Sequence, residues 1–208
     1  SLQGIKLINL DSEEEGTFTI GCAGGADSEI HFPLKRKTAK LGQRCLLKIS
    51  GLRGGHSGLD ISQGRGNAIQ LLARILWQTN QRFAFELIGI EGGNKRNAIP
   101  REAWADLYVA SAQIKPLAAF IQSAGEKIRH EYRVVERDLQ VALQPAEGKK
   151  MQPMTASCQE ALINFLFTCP HGVFSMHAEI AGLVETSTNL AIIRSEKKQA
   201  QIITSSRS

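Results

Sequence analysis

"RFAFELIGIEGGNKRNAIPREAWADLYVA", residues 82 to 110, decides the fold. Its first part alternates as a strand, "NKRN" is a turn, and the remainder puts Ala103, Ala105, Leu107 and Val109 on one face of a second strand. Upstream, "QRCLLKISGL" (43–52) is strand-like, and "GRGNAIQLLARILWQTN" (64–80) gathers Ile69, Leu72, Ala73 and Leu76 into one helical stripe. Downstream, "IKPLAAFIQSAGEKIRHEYRVVE" (114–136) is helical, with Pro116 tolerated in the first turn, and "LQVALQPAE" (139–147) is a strand. Residues 43–147 therefore read β-α-β-β-α-β, the ferredoxin-like split βαβ unit: an antiparallel sheet with two helices on one face.

A second series follows the polar stretch "EGKKMQPM" (147–154). "TASCQEALINFLFTCP" (155–170) is an amphipathic helix capped by Thr155 or Ser157. "STNLAIIRS" (187–195) and "QAQIITSSRS" (199–208) are strands joined by a charged turn, which repeats the strand-turn-strand plan of the first unit. This copy lacks a closing helix and strand, so an unpaired edge and an uncovered apolar face are expected, and the chain reads as a fragment. Before both units, "IKLINLD" (5–11) reads as a buried strand delivering Asp11 to its C-terminal edge, and "GCAGGAD" (21–27) as a glycine-rich turn. The class is α+β, divided at 1–40, 41–149 and 150–208.

Composition narrows the function. The chain is 42% hydrophobic and 22% charged. It has no apolar run near the roughly 20 residues that span a bilayer, and residues 1–20 lack the pattern of a signal peptide. Cys22, Cys45, Cys158 and Cys169 form no C-x-x-C pair, which argues against a zinc knot or a disulfide framework and points to a reducing cytoplasm. The net charge of +5 comes partly from Lys35, Arg36, Lys37 and Lys40. With Phe32 the only aromatic near them, they read as a solvated face rather than a nucleic-acid site.

On the residues alone, His56 in "GLRGGHSGLD" (51–60) reads as a turn residue among glycines. It lacks a ligand-like neighbour apart from Asp60, which reads better as a brace for the loop before the next helix. Ser57 does not sit in a G-x-S-x-G elbow, and "GCAGGAD" has no P-loop lysine. His31, His130, His171 and His177 share no metal-like spacing, and His130 and His171 read as solvated or structural. Asn97 reads as a turn asparagine, and Arg207 as a frayed terminal residue.

"INLDSEEEG" (8–16), "GCAGGAD", "GLRGGHSGLDISQGRGNA" (51–68), "GGNKRNAIPREA" (92–103) and "LVETSTNLAII" (183–193) together resemble the bacterial aminoacyl-histidine (Xaa-His) dipeptidases, in order over nearly the whole chain. These are two-metal peptidases with a lid inserted in the catalytic domain. The resemblance implies that residues 1–40 end the first catalytic segment, 41–149 form a first lid lobe and 150–208 an incomplete second lobe. It implies two divalent ions, zinc first, that activate water to cleave a dipeptide. Asp11 would be one metal ligand, while Glu13, Glu14 and Glu15 do not inherit the general-base role. It further makes His56 the donor to the oxyanion of the tetrahedral intermediate, Asn97 a substrate contact, and Arg207 the arginine that holds the substrate carboxylate. A cytoplasmic homodimer is implied, and the segment by itself is expected to be inactive. The alternatives are a non-catalytic dimerisation or binding module, or a related peptidase or deacylase.

Overall fold

The computed structural model describes residue 16, residues 22–40 and residues 42–208, so the expected strand at 5–11 and its Asp11 lie outside the described residues. In chain order the elements are β1 (Gly25–Pro33), β2 (Gln43–Ser50), β3 (Gly55–His56), α1 (Ala68–Asn80), β4 (Phe85–Gly92), β5 (Ala98–Ile99), β6 (Ala103–Val109), α2 (Ile114–Glu131), β7 (Gln140–Pro145), α3 (Ala156–Thr168), β8 (Gly172–Met176), β9 (Val184–Ser195) and β10 (Gln199–Arg207). The expected β-α-β-β-α-β series is present as β2, α1, β4, β6, α2 and β7. Its strands lie in the order β4-β6-β2-β7, with antiparallel pairing throughout.

Alternation explains why one face of this sheet meets helices. Cys45, Leu47 and Ile49 of β2 and Ala103, Ala105, Leu107 and Val109 of β6 are all buried, as is the α1 stripe Ile69, Leu72, Ala73 and Leu76. Gly92 lets α1 come close, since a Cβ there would lie 2.7 Å from Ile69 Cγ1 and 2.8 Å from Ala103 Cβ. α1 starts at Asn67, whose Oδ1 accepts from Ile69 N at 3.0 Å and Gln70 N at 3.2 Å. α2 stops at Glu131, short of the expected Glu136: Tyr132 leaves helical geometry with φ of −98° and ψ of 9°, and Val135 N then bonds to Tyr132 O as a turn.

The two units share one sheet. β9 joins β4 through Glu91 and Gly92, giving the order β1-β10-β9-β4-β6-β2-β7 with β8 also on β9. The expected open edge beside β10 is covered: β1 pairs with it from Gly25↔Arg207 to Pro33↔Gln199. The end of the supposed turn "GCAGGAD" is therefore strand, because β10 offers Gly25, Ala26 and Asp27 a full antiparallel ladder. Arg36 stitches the junction, donating to the carbonyls of Ile88, Gln152, Glu196 and Lys197. Ile88 lies at the irregularity between Leu87 and Gly89 where the β4 register shifts. The expected hydroxyl cap of α3 is absent: Thr155 is the N-cap but makes no side-chain cap bond, and its backbone N donates to Lys35 O at 2.8 Å instead.

Candidate functional site

The loop of residues 51–66 is built around glycine where its path demands it. Gly54 and Gly55 have φ of 65° and 147°. A Cβ on Gly55 would meet Arg65 NH1 at 2.2 Å and Asp60 Oδ2 at 2.5 Å. Asp60 braces the loop as expected: Oδ2 accepts from His56 N at 2.8 Å, Oδ1 accepts from Gln63 Nε2 at 2.8 Å, and Arg65 pairs with it at 3.0 Å. Arg65 also donates to Gly54 O, closing the ring.

This brace fixes His56 opposite Ala98 in the β3–β5 ladder, and Ser57 N donates to Asn97 O at 2.9 Å. His56 Nδ1 accepts from both Gly58 N and Leu59 N at 3.2 Å. Backbone amides can only donate, so Nδ1 is the unprotonated nitrogen and the neutral ring carries its proton on Nε2. The half-buried imidazole therefore presents a single N–H donor. Metal ligation through Nδ1 is excluded while those two bonds hold.

Asn97 and Arg207 come to the same place. They line one pocket of about 310 Å³ with Asp27, Arg96, Ser205 and Ser206. Asn97 is exposed at its rim. Arg207 is not frayed: it pairs with Ser187 on one side and Gly25 on the other, and its Nε is buried without a partner among the described residues. A Cβ on Gly58 would lie 3.0 Å from that Nε, so the guanidinium rests on the loop two residues past His56. The structure thus brings Asn97 and Arg207 to one pocket and sets both against Ser57 and Gly58, the residues that follow His56.

Two neighbours, Asn189 and Arg96, were not legible in the sequence. Asn189 of β9, 0% exposed, donates through Nδ2 to Ala98 O at 2.8 Å and Arg96 O at 3.4 Å, which holds the turn on both sides of Asn97. Arg96 crosses to Asp27 at 3.2 Å, bringing β1 to the pocket wall. The available signal was the polar run Glu185 to Asn189 directly ahead of the apolar Leu190 to Ile193 in one strand. Ser57 is buried and its Oγ has no hydrogen-bond partner among the described residues, so no base is bonded to it.

Burial governs three other titratable groups. His171 faces Asn67 Nδ2 with Nδ1 at 3.2 Å, and burial pushes its pKa down to about 4, so the ring is neutral. Burial pushes the Cys45 and Cys169 thiols up, away from thiolate chemistry. Among the described residues no three His, Cys, Asp or Glu side chains are grouped to hold a metal ion. No helix among them is long and apolar enough to cross a membrane.

Known proteins share this fold. Residues 47–136, a range that includes the loop of His56 and the turn of Asn97, match the peptidase dimerisation domain. The chain is similar along its whole length to aminoacylhistidine dipeptidases. It superposes on the crystal structure of aminoacylhistidine dipeptidase from Vibrio alginolyticus with a TM-score of 0.91 and 36% identity, covering 100% of this chain and 42% of that one. It is also 36% identical over 202 residues to the cytosol non-specific dipeptidase of Escherichia coli (strain K12), covering 97% of this chain. The chain spans 41% of the length of that relative.

Proposed function

We propose that this chain is the lid segment of a cytoplasmic, metal-dependent dipeptidase acting on Xaa-His dipeptides. Its first lobe is residues 41–149 and its second 150–208, with residues 1–40 joining them to the catalytic part. The observation that carries the reading is the His56 tautomer: two backbone amides occupy Nδ1 and leave Nε2–H as a fixed donor. A donor locked before the reaction begins needs no reorganisation when negative charge develops on the carbonyl oxygen. Arg207, whose Nε lacks a partner among the described residues, suits the substrate carboxylate, and Asn97 at the rim of the same pocket contacts the dipeptide backbone.

The two divalent ions, zinc first, belong to the same proposal, with Asp11 as one ligand. The described donor set does not fit a metal pair, since a zinc site takes three or four protein ligands. We expect residues 1–208 alone to show no cleavage of glycyl-histidine, and clear cleavage would overturn that expectation. In the full-length protein, His56→Ala is expected to lower kcat on glycyl-histidine about 100- to 1,000-fold with the metal content unchanged. Unchanged turnover would falsify the oxyanion role.

The match to a dimerisation domain favours a second property, a homodimer through the first lobe. Sedimentation of the full-length protein tests it, and a monomer at micromolar concentration removes it. It adds to the hydrolase reading, and would replace that reading with a purely binding role if no dipeptide were cleaved.

A further inference from the structure

Resting on the oxyanion role proposed above, we infer that Glu136 is a positioning residue that clasps the neck of the His56 loop and sets where the imidazole stands. Glu136 lies beyond α2, where Glu136 N bonds to Tyr132 O at 2.8 Å and the chain turns inward. Its side chain is buried, the residue being 2% exposed. One carboxylate oxygen, Oε2, accepts from Arg53 N at 2.7 Å, and the other, Oε1, accepts from Gly66 N at 2.8 Å. Those amides stand on the two sides of the excursion that carries His56, so a single carboxylate ties its ends together. No cationic side chain within 4.0 Å pairs with Glu136 among the described residues.

A buried carboxylate is costly unless both oxygens are engaged, and here two backbone donors engage them. The site also suits negative charge, because Gly66 immediately precedes the Asn67 cap at the N-terminus of α1. The neck has no slack: a Cβ on Gly66 would lie 2.5 Å from Leu52 Cδ2, and Arg101 Nε fixes Leu52 O at 3.1 Å. Asp60 orders the interior of the loop, whereas Glu136 sets the loop against the body of the domain. A shift at the neck is carried to His56 and away from the position where the oxyanion forms.

Glu136→Gln keeps the size but turns an amide NH2 toward one of the two N–H groups, breaking half the clasp. In the full-length protein we expect kcat on glycyl-histidine to fall about 10- to 100-fold with KM within about twofold, the signature of lost transition-state contact. In a His56→Ala background the same change should give no further loss, because Glu136 acts through that ring. A wild-type kcat in Glu136→Gln, or losses that multiply in the double variant, overturns the clasp. Amide hydrogen exchange reads it without activity. Faster exchange at Arg53 and Gly66, with β2 and β6 unchanged, is expected, and unchanged exchange there rejects it. Normal turnover in His56→Ala alone overturns only the oxyanion reading, since exchange still decides the clasp. If Glu136→Gln does not fold, Glu136→Asp, which reaches one amide, takes its place in each comparison.

Discussion

Two glycine-rich stretches of this chain look alike as sequence and differ in space. "GCAGGAD" runs into β1, where a Cβ on Gly25 would find its nearest neighbour, Ser206 O, at 3.8 Å, an ordinary contact. "GLRGGHSG" forms a loop in which Gly51 and Gly54 have φ of 78° and 65° and a Cβ on Gly51 would strike Asp138 O at 1.9 Å. Gly25 stands where another residue would fit, whereas Gly51 and Gly54 stand where the backbone and its neighbours leave no room for a side chain. A run of glycines therefore marks a geometric requirement only where its neighbours are crowded, and crowding is a property of the fold.

Substitutions can break that contrast. The largest effect is expected for Gly51→Ala, which combines a left-handed backbone with a backbone clash and should cost about 4 kcal/mol in denaturant unfolding. A cost below about 1 kcal/mol would mean that the neck of the loop is slack. Next is the acid response of His171, which packs on Asn67 at the far end of the loop. Its pKa is depressed from 6.5 to about 4 in the folded protein, so the unfolded chain binds the proton first as pH falls. Stability present above pH 6.5 should be lost between there and about pH 4, by up to about 3 kcal/mol. His171→Phe should flatten that part of the stability profile.

Asn67→Ala comes third. It removes the cap of α1 and also leaves Leu190 O without the 2.8 Å bond from Nδ2. About 2 kcal/mol is expected by urea unfolding, and Asn67→Asp should restore the cap half of that loss. The smallest effect is Gly25→Ala, within about 0.5 kcal/mol of wild type by the same measurement. A large loss there would make the two stretches equivalent and remove the distinction.

Local pattern carried much of the fold because it rests on short-range periodicity. The α1 stripe and the β6 face were legible from residues three, four or two apart, and the first unit keeps the element order that spacing implies, with α2 ending short at Glu131. β1 and β8 were not legible. β1 takes its identity from pairing with β10 at the other end of the chain, and β8 from pairing with β9 across two shifts of register. Arg207 shows the same limit: at position 207 it reads as a loose end, yet β1 and β9 lock its backbone on both sides.

By itself the sequence determined the α+β class, the β-α-β-β-α-β series and, through its motifs, the resemblance that singled out His56, Asn97 and Arg207. It could do so because side-chain periodicity and motif order are properties of neighbouring residues. Only the tertiary structure decided that the two units share one sheet, that Asn97 and Arg207 line one pocket beside the His56 loop, and that His56 keeps its proton on Nε2. Those outcomes depend on which amides and carbonyls face one another after residues far apart have packed, as Asn189 does beneath Asn97 and Glu136 at the neck of the loop.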